Sequence, residues 1–323
     1  MALTLTCLVT GVAGFIGSHL ADALLNKGCH VIGIDELNDY YDPRQKQANL
    51  QSLQQHPQFT FIADSIQNLN WKALLQNVQV VYHQAAQAGV RASWGQNFKD
   101  YTERNLNATQ IILEACREIT SLKRLVFASS SSVYGDAETM PTTEQTPTRP
   151  VSPYGITKLA AEQLCHLYYQ NFGVPVTSLR YFTVYGPRQR PDMAFHKFFR
   201  AALQKQPVTI LGDGQQTRNY TYVDDVVTAN IAAGISDQAL GRIINIGGNA
   251  CISLKTALNL IEEITQISLE KKYLPCAVGD AKHTNADITL ATQLRDILPT
   301  LTLRVQCGLP NLAVRHSCPT PLV

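Results

Sequence analysis

Tyr154 and Lys158 stand four residues apart in Ser152-Pro153-Tyr154-Gly155-Ile156-Thr157-Lys158. On a helix that spacing is about one turn, so both side chains leave from one face. Pro153 suits the first position of such a helix, where its missing N–H would be unpaired anyway. An ammonium beside a phenol favours the phenolate and lowers the tyrosine pKa. The hydroxyl then becomes a proton acceptor near neutral pH. An ordinary amphipathic helix shows the same pair, so the rest of the chain must decide between the two readings.

The elements that would position this pair begin at the N-terminus. Residues 3–10 read as a buried strand, followed by Gly11-Val12-Ala13-Gly14-Phe15-Ile16-Gly17 and a helical run over 18–27 closed by Gly28. A second strand over 30–34 ends in Asp35, 18 residues past Gly17. Glycines let a backbone turn tightly against a pyrophosphate, and the helix start offers unpaired N–H groups to it. The spacing is G-x-x-G-x-x-G instead of G-x-G-x-x-G, but strand, turn, helix, strand and acid come in the order a dinucleotide site needs. Asp35 suits ribose hydroxyls and would repel a 2′-phosphate, and no arginine follows it before Arg44. NAD is therefore expected in preference to NADP.

Strand patterns at 59–63, 78–83, 124–128 and 176–181 alternate with helical patterns at 100–119 and 154–172. That alternation predicts an α/β fold, a Rossmann doubly wound parallel sheet. Ligands bind beyond the strand C-termini of such sheets, where Ser129-Ser130-Ser131-Ser132 falls. The chain of 323 residues is 45% hydrophobic and 16% charged with a net charge of +2. That balance gives no basis for a nucleic-acid or membrane-surface partner. The longest apolar runs are too short to span a membrane. Residues 1–9 lack a basic flank and read as a strand, not a signal peptide. The eight cysteines are scattered without C-x-x-C, which predicts reduced thiols and a cytoplasmic protein. No metal is expected: the histidines lack ligand spacing, and His83 and His196 read as structural. Trp71 and Trp94 read as packing residues.

Five motifs in order resemble the extended short-chain dehydrogenase/reductase family, in particular its NAD-dependent sugar-nucleotide epimerases. They are the loop Thr10 to Leu20, Ala128 to Gly135, Ser152 to Lys158, Arg180 to Pro187, and Gly212-Asp213-Gly214. The resemblance covers about residues 3–290. It implies an NAD-binding Rossmann domain over 1–181, to which the chain returns around 218–248, and a smaller α/β substrate-binding domain over 182–323. It makes Tyr154 the catalytic base and acid, Lys158 its tuner on the nicotinamide ribose, and Ser130 the partner of the sugar 4-hydroxyl. It implies cofactor contacts from Gly11, Gly14, Phe15, Ile16, Gly17, Asp35, Asn38, Asp64, Ala85, Asn105, Tyr154, Lys158 and Tyr181. For the substrate it implies Ser130, Ser131, Ser132, Tyr154, Thr183, Arg190, Thr209, Leu211 and Arg218, with Arg218 on the nucleotide diphosphate. A homodimer through the 100–119 and Tyr154 helices is implied as well.

The chain departs from the family in three places. Asn219 replaces the usual Asp, an uncharged isostere. Ala277 stands where many UDP-glucose epimerases have a diphosphate-binding Arg. The tail after about residue 302 lacks the helical period of the family's last helix.

The family's 4,6-dehydratases carry Asp-Glu where this chain has Ser131 and Ser132, and its UDP-glucuronate decarboxylases commonly carry Glu at the position of Ser132. Serines cannot replace a carboxyl acid and base. Epimerisation through a 4-keto intermediate needs no further acid–base group. The runs 38–43, 87–91 and 182–193 are similar to those of UDP-glucuronate 4-epimerases. In that reading the hydroxyls of Ser131, Ser132 and Thr183 hold the C6 carboxylate, although the serines also suit simple capping of a strand end. Arg190 is an alternative partner for phosphate. UDP-glucose 4-epimerase is the alternative, followed by UDP-glucuronate decarboxylase or a sugar-nucleotide dehydratase. A non-catalytic NAD-binding regulatory protein remains a different class, although such proteins commonly lose the Tyr or Lys retained here.

Overall fold

The structure, a computed structural model, describes residues 5–294. The tail after 302 lies outside the described residues. The N-terminal part runs β1 (Thr6–Thr10), α1 (Phe15–Asn26), β2 (His30–Ile34), α2 (Pro43–Gln54), β3 (Phe59–Ile62), α3 (Trp71–Leu75) and β4 (Val80–His83). It continues through α4 (Phe98–Tyr101), α5 (Ala108–Cys116), β5 (Arg124–Ser130), α6 (Pro153–Phe172) and β6 (Val176–Tyr181). Then come β7 (Thr183–Tyr185), α7 (Ala194–Gln204), β8 (Val208–Leu211), β9 (Thr217–Tyr222), α8 (Val223–Ile235) and β10 (Ile243–Ile246). The described chain ends with β11 (Cys251–Ser253), α9 (Leu254–Thr265), β12 (Lys271–Leu274) and α10 (Thr289–Gln293).

Seven parallel strands form the main sheet in the order β10-β6-β5-β4-β1-β2-β3. Strands covered on both faces read as continuous apolar runs. Alternation then sends Cys7 and Val9 into a core layer shared with α1 and α8, and Leu8 into the opposite layer with α5 and α6. The strand order reverses between β1 and β4, which opens a crevice at their C-terminal ends. A three-stranded sheet β11-β9-β7 and a two-stranded pair β12-β8 build the smaller part. α7 and α9 cover it with Phe195, Phe198, Leu254 and Leu258.

Local chemistry sets the ends of the helix that carries the pair. Ser152 caps α6, its Oγ accepting from the Gly155 N–H at 3.1 Å, and Gly173 closes it at φ 69. The helix expected over 100–119 differs. It is broken into α4, a π-helical turn over Thr102–Asn107, and α5. The Asn105 amide is drawn toward Gln87, and the Thr109 hydroxyl donates to the Asn105 carbonyl at 2.6 Å. One extra residue in the turn accommodates both.

Candidate active site

The crevice is lined from the glycine loop to α6, and Gly11, Gly14, Phe15, Ile16, Gly17, Asp35, Asn38, Asp64, Ala85, Tyr154, Lys158 and Tyr181 all face it. Gly11 has φ +69, and a Cβ there would lie 2.9 Å from the Ala85 backbone. At Gly17 a Cβ would lie 2.1 Å from the Gly11 carbonyl oxygen. Only glycine permits this loop to fold flat under the start of α1. The bare cradle, the open helix end and the carboxylate beyond it fit a dinucleotide.

Asp35 is held from two sides. Its carboxylate accepts from the Ala13 N–H at 3.1 Å and the Leu37 N–H at 2.9 Å. Burial raises its pKa, and Lys46, 3.7 Å away, opposes that. Lys46 is itself buried, donates to Asn38 Oδ1 at 2.7 Å, and has its pKa lowered by burial. The sequence reading missed Lys46. Its only signal was the capped helix Asp42-Pro43, which returns the chain across the ribose end of the crevice.

Asn105 is not among the residues that line the crevice. Its side chain accepts from the Gln87 N–H at 2.7 Å and donates to the Gln87 carbonyl at 3.1 Å and to Thr157 Oγ1 at 3.0 Å. It is buried behind the wall and ties the loop after β4 to α6 instead of lining the crevice.

Tyr154 lies in the cleft with its ring edge-to-face against Tyr101, centroids 6.2 Å apart. Desolvation raises its pKa, while a hydrogen bond with Ser130 and the charge of Arg190 pull it down. The expected helper, Lys158, is not among those influences. Its ammonium lies over the Phe127 ring, 4.5 Å from the centroid, and burial lowers its pKa to about 8. Beneath it His83 is fixed by Thr10 Oγ1 at 2.8 Å and Thr109 Oγ1 at 3.1 Å. Burial pushes the His83 pKa down to about 3, so the ring is neutral.

The serine run leaves the sheet beside the pair. Ser130 caps a short 3-10 turn over Ser131–Val133, its Oγ accepting from the Ser132 N–H at 3.1 Å. Ser130 pairs with Tyr181 at the ends of β5 and β6, and Ser131, Ser132 and Thr183 follow within two residues of those ends. Arg190 reaches the crevice, locked to Asp192 by two hydrogen bonds of 2.9 Å. Of the expected substrate residues Tyr154 and Arg190 line this crevice, and Ser130, Ser131, Ser132 and Thr183 are not among its lining. Thr209 is exposed on β8, Leu211 ends that strand, and Arg218 on β9 bonds the carbonyls of Thr217 and Lys282. Trp94, expected to pack, is 45% exposed; Trp71 is buried with its N–H on the Ile66 carbonyl.

A tyrosine held over the C-terminal edge of a dinucleotide-type sheet defines an enzyme that couples proton movement to hydride transfer. Residues 7–247 match the family described as "NAD dependent epimerase/dehydratase family", and the chain belongs to it. A Bacillus subtilis (strain 168) protein named "Uncharacterized UDP-glucose epimerase YtcB" is 45% identical over 298 residues, 92% of this chain and 94% of its own. A UDP-glucuronate 4-epimerase of Thermodesulfobacterium geofontis (strain OPF15) is 37% identical over 301 residues, 92% of each chain. The crystal structure of UDP-glucuronic acid 4-epimerase from Bacillus cereus, in complex with UDP-glucuronic acid and NAD, superposes with a TM-score of 0.90 at 44% identity and covers 96% of both chains.

Proposed function

We propose that the chain is an NAD-dependent UDP-sugar 4-epimerase that interconverts UDP-glucuronate and UDP-galacturonate. The observation that carries the reading is that Ser130, hydrogen-bonded with Tyr154, is followed directly by the hydroxyl residues Ser131 and Ser132 instead of carboxylates. Glu162 receives a hydrogen bond from Ser129, but Arg180 occupies both of its oxygens, so it cannot serve as an extra base. Hydroxyls hold a C6 carboxylate by charge-assisted hydrogen bonds and leave C5 and C6 intact. The named functions of the Thermodesulfobacterium and Bacillus cereus relatives support the same substrate.

NAD, when bound, supplies reversible hydride transfer at sugar C4. Gly11, Gly14 and Gly17 would receive its diphosphate, Asp35 and Asn38 its adenosine ribose, and Lys158 the nicotinamide ribose. Tyr154 takes the proton of the sugar 4-hydroxyl as C4 is oxidised. It returns the proton after the 4-keto sugar has presented its other face. Ser130 aligns the hydroxyl, and Arg190 adds positive charge that favours the phenolate of Tyr154.

Product separation after incubation with UDP-glucuronate and, separately, UDP-glucose tests the reading. UDP-galacturonate should form faster. Faster UDP-galactose formation would move the assignment to UDP-glucose, the reading favoured by the name of the Bacillus subtilis relative. UDP-xylose would replace it with decarboxylation. Thr183→Ala should lower kcat/KM for UDP-glucuronate about tenfold, the worth of one hydrogen bond to a charged group, and leave UDP-glucose turnover within about threefold.

The glycine cradle carries its own prediction. In Gly17→Ala the new methyl must displace the Gly11 carbonyl, moving α1 off the loop. Overpacking of this kind costs about 1–3 kcal/mol. The variant should be purified with little NAD and a lowered Tm. Wild-type NAD content, measured in the supernatant of denatured protein, would contradict the cradle.

We also infer a homodimer through α5 and α6, supported by exposed Ile156, Leu167 and Phe172 on α6. A cytoplasmic location is supported by free thiols at all six described cysteines. Among the described residues no helix is long and apolar enough to cross a membrane.

A further inference from the structure

Glu162 lies one helical turn beyond Lys158 and two beyond Tyr154, on the same face of α6. It is fully buried and Arg180 is 3% exposed. Glu162 Oε1 accepts from Arg180 Nη2 at 2.6 Å, and Oε2 accepts from Arg180 Nε at 2.9 Å and Ser129 Oγ at 2.6 Å. Ser129 precedes Ser130, and Arg180 precedes Tyr181 of the crevice wall. The remaining Arg180 nitrogen donates to the Tyr134 hydroxyl at 2.7 Å and the Glu144 carbonyl at 3.2 Å. The Tyr134 hydroxyl donates to Asn245 Oδ1 at 2.7 Å. The Asn245 amide donates to the carbonyls of Thr142 at 3.0 Å and Asp287 at 3.3 Å, in two segments bridged in parallel at Thr142 and Ala286.

Stability alone does not account for this arrangement. A buried ion pair roughly breaks even against apolar residues of equal volume, because both charges lose water. A satisfied network instead selects one geometry. This one joins the helix bearing Tyr154 and Lys158 to the strand ends bearing Ser130 and Tyr181. A shift of α6 along β5 would alter the Tyr154–Ser130 contact directly, and a misplacement of about 1 Å costs about 10²-fold in rate.

We propose that Glu162 and Arg180 are positioning residues. They set the depth of α6 against β5 and β6, and through Tyr134 and Asn245 they couple that depth to the bridged segments at Thr142 and Asp287.

The inference rests on the epimerase reading only for the reaction assayed. Wild type is therefore tested first with UDP-glucuronate and UDP-glucose, and variants are compared on whichever sugar it converts. Failure on UDP-glucuronate counts against the function and leaves the variant-to-wild-type ratio measurable. Glu162→Gln and Arg180→Met should each lower Tm and kcat. The double variant Glu162→Leu with Arg180→Met removes both charges, so its Tm should recover. Its kcat should stay at least tenfold down with KM within about twofold. Recovery of kcat together with Tm would overturn the proposal and leave the pair a structural one. A raised KM with wild-type kcat would overturn it as well. If the double variant does not fold, Tyr134→Phe decides, since it removes one hydroxyl and exposes no charge. It should lower kcat at least threefold at unchanged KM, and a wild-type kcat would refute the coupling to the bridged segments.

Discussion

Tyr154→Phe lowers kcat by about 10²–10⁴, the range that general acid–base groups contribute, with KM for the UDP-sugar changed little. Only the hydroxyl is lost. The ring keeps its edge contact with Tyr101, and Ser130 Oγ keeps its hydrogen bond from the Ser132 N–H. No buried polar atom is stripped of its partners, so the fold should be unaffected. The lost interaction is one in which the proton moves, so it appears in kcat and not in ground-state binding. The neighbouring Tyr101→Phe is the control. The Tyr101 hydroxyl is spent on the carbonyls of Ala88 at 2.8 Å and Gly89 at 2.7 Å. Its loss should weaken the loop after β4 and lower Tm while most of the rate survives. Steady-state kinetics and thermal unfolding on both variants separate the two roles. A Tyr154→Phe enzyme retaining a tenth of the wild-type rate would remove the residue from the proton transfer.

The cofactor half of this site was legible for a physical reason. Strands of a parallel sheet are buried on both faces and read as unbroken apolar runs. The glycines and Asp35 sit at fixed offsets from the ends of such runs, so local pattern places them in space. Tyr154 and Lys158 were legible because a helix turn fixes their relative direction. Their electrostatic relation was not. Proximity along α6 suggested that Lys158 tunes Tyr154, yet the Lys158 side chain goes to the Phe127 ring, and Ser130 and Arg190 act on Tyr154. Lys46 escaped notice because only the packing of α2 brings it to Asp35. The π-helical turn escaped because Thr-Glu-Arg-Asn-Leu-Asn suits an α-helix equally well; the reason for the extra residue lies across space, at Gln87 and Thr157. Glu162 and Arg180 belong to different elements, and nothing in their local sequence pairs them.

Lys158→Met should abolish most activity and at the same time stabilise the protein. Burial lowers the Lys158 pKa from 10.5 to about 8. A shift of that size corresponds to about 3 kcal/mol against keeping the ammonium inside the fold at neutral pH. The contact with the Phe127 ring returns about 1–2 kcal/mol of that. Methionine fills a similar volume and has no charge to desolvate. The balance favours the variant by about 1–2 kcal/mol, a rise of a few degrees in Tm for the nucleotide-free protein. The sign follows from proton uptake. Between about pH 8 and 10.5 the unfolded chain holds the Lys158 proton and the folded protein does not, so wild-type stability rises with pH through that window. Below about pH 8 the folded protein bears the whole penalty. The advantage of Lys158→Met should accordingly be full at pH 7 and shrink toward pH 10. Catalysis should move the other way, with kcat down about 10²–10³ for loss of a placed positive charge. Thermal unfolding at pH 7 and pH 10, paired with turnover at pH 7, measures both. A variant less stable than wild type at pH 7 would mean that Lys158 holds the fold together. The geometry assigns it the opposite place: a charge kept where it weakens the fold, facing the crevice beside the dinucleotide cradle.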